Sequence, residues 1–86
     1  VPDNLIHLII VTTGEDVEAD FNVNEPVKAV KMRALAGLAP GSKADEFRLE
    51  YNNEPLDEDQ RLAFYVEKFG LTDGSVLELV PCPVVI

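Results

Sequence analysis

The chain is poor in the residues that carry chemistry. It has one cysteine, Cys82, one histidine, His7, and no tryptophan. One cysteine excludes an intramolecular disulfide. A single thiolate and one distant imidazole cannot assemble a zinc or iron–sulfur site, and the expected home is reducing and cytoplasmic. No cation sits beside Cys82 in sequence to activate it, and it lies five residues from the end, one too many for a prenylation signal. No serine or cysteine accompanies the histidine in a nucleophile–base pattern, so no enzyme is expected. No apolar run reaches 18 residues, which excludes a membrane-spanning helix, and no basic-then-apolar leader opens the chain. Val1 stands where a Met would start a gene product, so a processed fragment is the expectation.

Positive charge is also scarce. Seven Lys and Arg face 16 Asp and Glu, a formal net charge of −9. Of the basic residues, only Lys28, Lys31 and Arg33 cluster. Phosphate backbones need a basic stripe, so nucleic acid is not expected as a partner. A basic protein groove suits this balance better, because complementary fields speed encounter. Acidity that serves solubility alone is the plainer alternative.

What is present is the material for one small domain. Eighty-six residues bury roughly 60–65% of their unfolded surface, enough for a single core. Leu5 to Val11 is β-branched and apolar on both faces, which predicts a central strand. Gly14 with Glu15 and Asp16 makes a turn. Val17 to Val23 then alternates, with Val17, Ala19, Phe21 and Val23 on one face and Glu18, Asp20 and Asn22 on the other. Asn24-Glu25-Pro26 reads as a helix start, with a capping side chain and proline in the first turn. Val27, Val30, Ala34, Leu35 and Leu38 follow at helical spacing, with Lys28, Lys31 and Arg33 placed off that stripe. Gly37, backed by Pro40-Gly41, is the expected stop.

Residues Gly41 to Glu46 read as a polar loop. Phe47, Leu49 and Tyr51 point inward from a third strand, and Asn52-Asn53 suits left-handed backbone in a turn. Glu54 to Leu56 is a short strand or an extended anchor for Leu56. Asp57, Glu58 and Asp59 read as the acidic first turn of a short helix from about Asp59 to Lys68, and their spacing lacks the glycine of a calcium loop. Leu62, Phe64 or Tyr65, and Phe69 would be that helix's buried contacts. Ser75 to Val80 closes the chain as a strand, with Leu77 and Leu79 inward and Val76, Glu78 and Val80 outward. An amphipathic helix on such a mixed sheet is an α+β two-layer solution. The first and last strands are expected to pair in parallel at its centre.

This order resembles the ubiquitin-like, β-grasp family. The resemblance runs from Leu5 to Val80 and is carried by the Gly14 hairpin, the Val27–Val30 helix start, the Leu49…Leu56…Leu62 spacing and the block Phe69-Gly-Leu-Thr-Asp-Gly-Ser-Val-Leu-Glu-Leu-Val80. It implies a mixed sheet of four to five strands, one main helix across one face and a short second helix. The domain would be residues 1–80 and the C-terminal tail 81–86. The chain looks most like the small bacterial members of the family.

The resemblance also implies function through surfaces. The family's recognition patch maps onto Thr12, Glu50, Glu78 and Val80, where two carboxylates replace apolar and neutral groups. Receptors that bury an apolar patch would have to desolvate both, at several kcal/mol. Conjugated members end in Gly-Gly; here the aligned residues are Val85 and Ile86, after Pro81, Cys82, Pro83 and Val84. A modifier would therefore need its tail processed, with an activating enzyme or a deconjugating protease as partners. A non-conjugated interaction domain or subunit is the alternative. Most positions used for chain building lack lysine (Glu15, Glu54 and Asp73 stand there), and only Lys31 keeps one. The strand alternation places His7, Ile9, Val11, Arg48, Glu50, Val76, Glu78 and Val80 on the open sheet face, the expected docking surface. A monomer without cofactor is expected; a one-layer sheet that merely leaves some valines exposed is the alternative for that face.

Overall fold

The computed structural model describes residues 4–82. Strand β1 (Leu5–Thr12) and strand β2 (Glu15–Asn22) form the amino-terminal hairpin, and helix α1 (Val27–Leu38) follows. A single 3-10 turn over Ala44–Glu46 leads into β3 (Phe47–Tyr51) and the two-residue β4 (Glu54–Pro55). Helix α2 (Leu62–Phe69) and strand β5 (Ser75–Pro81) complete the order. The sheet runs β2-β1-β5-β3-β4. Among the described residues only the β1–β5 pair is parallel, with Leu8 opposite Ser75 and Val11 opposite Glu78. The chain's opening and closing segments thus lie side by side, as the apolar character of β1 predicts.

The core sits between α1 and one face of this sheet. Leu8, Ile10, Val27, Val30, Ala34, Leu49, Leu62 and Leu77 are fully enclosed. Ile6, Phe21, Leu56, Tyr65, Leu71 and Leu79 close around them. Period-two alternation on β1, β3 and β5 and 3.6-residue spacing on α1 supply these contacts, so the burial pattern follows the sequence closely. Asn52 and Asn53 both take positive φ, 50° and 67°. They make the tight β3–β4 turn that returns Glu54 to its place opposite Tyr51.

Several local expectations are corrected. Asn24 does not cap α1: Pro26 holds the N-cap position, in extended conformation and with no side-chain cap. The helix starts meet and cap each other through backbone instead. Val27 and Lys28 donate to the carbonyls of Gln60 and Glu58 at 2.9 and 3.2 Å. Leu62 and Ala63 donate to those of Glu25 and Val23 at 2.9 and 2.8 Å. Pro26 and Arg61 form an isolated antiparallel bridge between them. Four orphan helix donors are satisfied this way, which is why no Ser, Thr or Asp is needed at either cap.

Helix α1 does not stop at Gly37. It continues to Leu38, and the Ala39 N–H donates to the Leu35 carbonyl at 2.8 Å. A Cβ on Gly37 would lie 3.4 Å from Val17 Cγ2, so the small residue lets the helix end approach β2. Helix α2 begins at Leu62 rather than near Asp59. The Asp57 side chain accepts the Asp59 N–H at 2.9 Å, and the Gln60 N–H donates to the Asp57 carbonyl at 3.1 Å. That Asx-type turn holds the acidic spacer out of the helix. Tyr65 is the buried residue of the pair Phe64 and Tyr65, while Phe64 is exposed.

Lys31 is the largest correction. It is 1% exposed, inside the apolar stripe rather than beside it. Its Nζ lies 2.7 Å from Glu58 Oε1 and donates to the Phe47 carbonyl at 3.2 Å. The lysine that the resemblance left for chain building is therefore enclosed.

Candidate functional site

One face of the sheet carries the helix; the other lies open. Register decides its membership. His7 stands opposite Asp20, Ile9 opposite Glu18, and Val11 opposite Asp16. Across the parallel seam Ile9 meets Val76 and Val11 meets Glu78. On the far side Arg48 meets Val80 and Glu50 meets Glu78. Side chains on paired residues share a face, so these residues form one surface. Its middle is the aliphatic strip Ile9, Val11, Val76 and Val80. Val76 is 45% exposed, and the other three are half-buried.

Thr12 is the member of the sequence-predicted set that the register removes. It pairs with Glu15 and alternates with the core residues Leu8 and Ile10. It borders an open depression at the hairpin end with Gly37 and Leu38. Glu50 is on the open face but not offered to it. It is 7% exposed, and Arg48 Nε donates to its Oε2 at 2.6 Å. Two residues apart in a strand, Arg48 lies along the same face and covers the carboxylate. The ion pair also relieves the like-charge contact between Glu50 and Glu78 across the ladder.

His7 organises the other flank. Its Nδ1 lies 3.0 Å from Asp20 Oδ1 and its Nε2 3.5 Å from Glu18 Oε1. Hydrogen bonding to Asp20 and then to Glu18 raises its pKa above the usual 6.5. Its backbone is engaged as well: the N–H donates to Asp73 Oδ1 at 2.9 Å, and its carbonyl accepts from the Gly74 N–H at 2.8 Å. The turn before β5 is thereby tied to β1. Among the described residues no group of three or more His, Cys, Asp or Glu is arranged to hold a metal ion, and no helix is long and apolar enough to cross a membrane.

The start of the tail is bound to the sheet. Pro81 pairs with Phe47, where β5 has outrun its pairing with β1 and a missing N–H is tolerated. The Cys82 N–H donates to the Glu46 carbonyl at 2.7 Å. The tail residues Pro83, Val84, Val85 and Ile86 lie outside the described residues.

Two buried polar features escaped sequence reasoning, and both left a trace. Lys31 falls four residues after Val27 and four before Leu35, the spacing of the buried face. Glu50 falls two after Arg48, the spacing of same-face neighbours in a strand. What the chain alone could not show was Glu58 at the lysine's end.

No family model matches the chain, and no curated protein matches it by sequence. Solved structures do. A ubiquitin of Caldiarchaeum subterraneum is 25% identical, with a TM-score of 0.73 over 93% of this chain and 96% of that one. The ubiquitin-like domain of Plasmodium falciparum Dsk2 is 18% identical, with a TM-score of 0.75 over 91% and 99%. A chain solved under the description of molecular mimicry of SUMO promoting DNA repair is 23% identical, with a TM-score of 0.72 over 90% and 91%. With α1 across a five-stranded mixed sheet, β1 beside β5 and α2 before the last strand, the chain has the ubiquitin-like fold.

Proposed function

We propose that this protein acts without catalysis, by docking other proteins on its open sheet face. The observation that carries this reading is the strip Ile9, Val11, Val76 and Val80, framed on both sides by charged side chains. An apolar centre with a polar rim is the anatomy of a protein interface. The reducing interior of a cell suits a chain with a single thiol. The names of the similar structures (a ubiquitin, a ubiquitin-like domain, a mimic of SUMO) support a role exercised through protein contacts.

Within that role, a protein modifier is the finer reading. Its tail would need processing by a protease before an activating enzyme could use it, since Val85 and Ile86 stand where the family carries Gly-Gly. The bonds of Pro81 and Cys82 to the start of β3 favour the second reading, a non-conjugated interaction domain.

The docking role is tested by cross-linking the full chain to its neighbours in native extract and identifying them by mass spectrometry. The same is done with Val11→Thr/Val76→Thr, which keeps β-branched shape and removes apolarity. Neighbours captured by the wild type and lost from the variant are expected; identical sets would refute docking at this face. Intact mass after incubation with a tail-processing protease, an activating enzyme and ATP separates the two finer readings. An adenylate or thioester adduct supports the modifier, and none supports the non-conjugated domain.

A further inference from the structure

We propose that the occupant of the open sheet face is a cationic amphipathic protein segment. Its aliphatic side chains would lie on Ile9, Val11, Val76 and Val80, and its Lys or Arg side chains over the carboxylates of β2 and over Glu78. This inference rests on the docking role proposed above and adds the partner's chemistry.

Charge placement carries it. Asp16, Glu18 and Asp20 project from β2 on the same face as the strip, at every second residue. Alternate strand residues are ~6.7 Å apart, so these three carboxylates line one long side of the strip. Glu78 stands opposite Val11, between Val76 and Val80 on β5, and so interrupts the strip from within. All four are exposed. Of the seven Lys and Arg in the chain, Arg48 alone is on this face, and Glu50 already holds it at 2.6 Å; His7 at the strip's end is held by Asp20 and Glu18 at 3.0 and 3.5 Å. The aliphatic strip thus has a row of carboxylates along its β2 side and one carboxylate within it, with no free Lys or Arg among the described residues of that face.

This arrangement discriminates between partners. A neutral apolar surface pressed on the strip would dehydrate Glu18 and Glu78 and return nothing to them, a cost of several kcal/mol. Nucleic acid and anionic lipid meet a negative field. A Lys or Arg side chain matches both features, since its methylene stem packs on valine while its head reaches the carboxylate. Complementary fields also steer the encounter, so association should slow as ionic strength rises.

The test uses a fluorescent synthetic peptide of alternating Lys and Leu, and a second with Glu in place of Lys, titrated against the full chain by anisotropy. The Lys peptide is expected to bind and the Glu peptide not to. Glu18→Gln/Glu78→Gln is expected to weaken the Lys peptide roughly threefold to tenfold, from the usual worth of exposed ion pairs. Asp59→Asn/Glu67→Gln removes equal charge away from the strip and is expected to change affinity less than twofold. Equal weakening by both variants would mean attraction by net charge alone and would overturn the proposal, as would binding of the Glu peptide. The extract experiment separates this inference from its premise. If Val11→Thr/Val76→Thr loses the captured neighbours while Glu18→Gln/Glu78→Gln keeps them all, docking stands and the cationic partner falls. If both variants keep them, docking itself falls.

Discussion

Removing Glu58 is expected to destabilise the protein more than removing the lysine it pairs with. The Lys31 side chain is 2% exposed and that of Glu58 36%. Glu58→Ala leaves the buried Lys31 ammonium with the Phe47 carbonyl alone, 3.2 Å away. One-sided loss from a buried pair costs about 3 kcal/mol at its lower end, and the exposed flank of Glu58 argues for that end. Lys31→Met instead leaves the carboxylate where water reaches it and fills the lysine's buried space with an apolar chain of similar length. About 1 kcal/mol, the worth of a lost hydrogen bond, is then expected. In a domain of this size each kcal/mol moves the melting temperature by about 4–8 °C. Urea denaturation followed by circular dichroism measures both variants. The double variant adds a sign test: Lys31→Met introduced into Glu58→Ala should restore stability, because it removes the stranded charge. The reasoning fails if Lys31→Met costs as much as Glu58→Ala, or if the double variant is less stable than Glu58→Ala.

Three further outcomes are expected. The His7 ring should titrate above 6.5 in a proton NMR titration, because Asp20 and Glu18 favour its charged form. With the folded pKa raised, its stabilising contribution is fully present below pH 6.5 and lost as pH rises through the folded value. Asp20→Asn should lower that midpoint, and a wild-type midpoint at or below 6.5 would contradict the contacts. Gly70 closes α2 with φ 67°, so Gly70→Ala should cost about 1 kcal/mol in urea denaturation, and Gly70→Asn less; equal stability of wild type and Gly70→Ala would count against a left-handed cap. A standard ubiquitin-binding domain that buries an apolar patch should not retain this protein in a pull-down, since Glu78 is exposed beside Val11 and Val80; strong retention would show that its charge is readily accommodated.

Most of the fold was legible because it is written in periods. The two-residue alternation of β3 and β5 and the doubly apolar β1 dictated which side chains enter the core, and Asn52-Asn53 announced its turn. The open face was legible for the same reason: once β1 lies beside β5, His7, Ile9, Val11, Val76, Glu78 and Val80 can only be neighbours. The misreadings lie where one segment's conformation is set by a distant one. Asn24 looked like a cap because a lone helix start needs one, yet α1 and α2 cap each other across more than thirty residues of chain. Asp57 to Asp59 looked like a helical first turn, but the Gln60 and Glu58 carbonyls serve α1 instead.

The chain by itself determined its layers, the central place of its first and last strands and the apolar residues of its core, because hydrophobic patterning at fixed period selects one face of each element. Only the tertiary structure decided the state of its polar groups. Whether Lys31 is a surface lysine or a buried one depends on Glu58 arriving at its end, and whether Glu50 is offered or hidden depends on Arg48 lying over it. A charge is tolerated or exposed according to what stands within a few ångströms of it, and that distance exists only once the chain has folded.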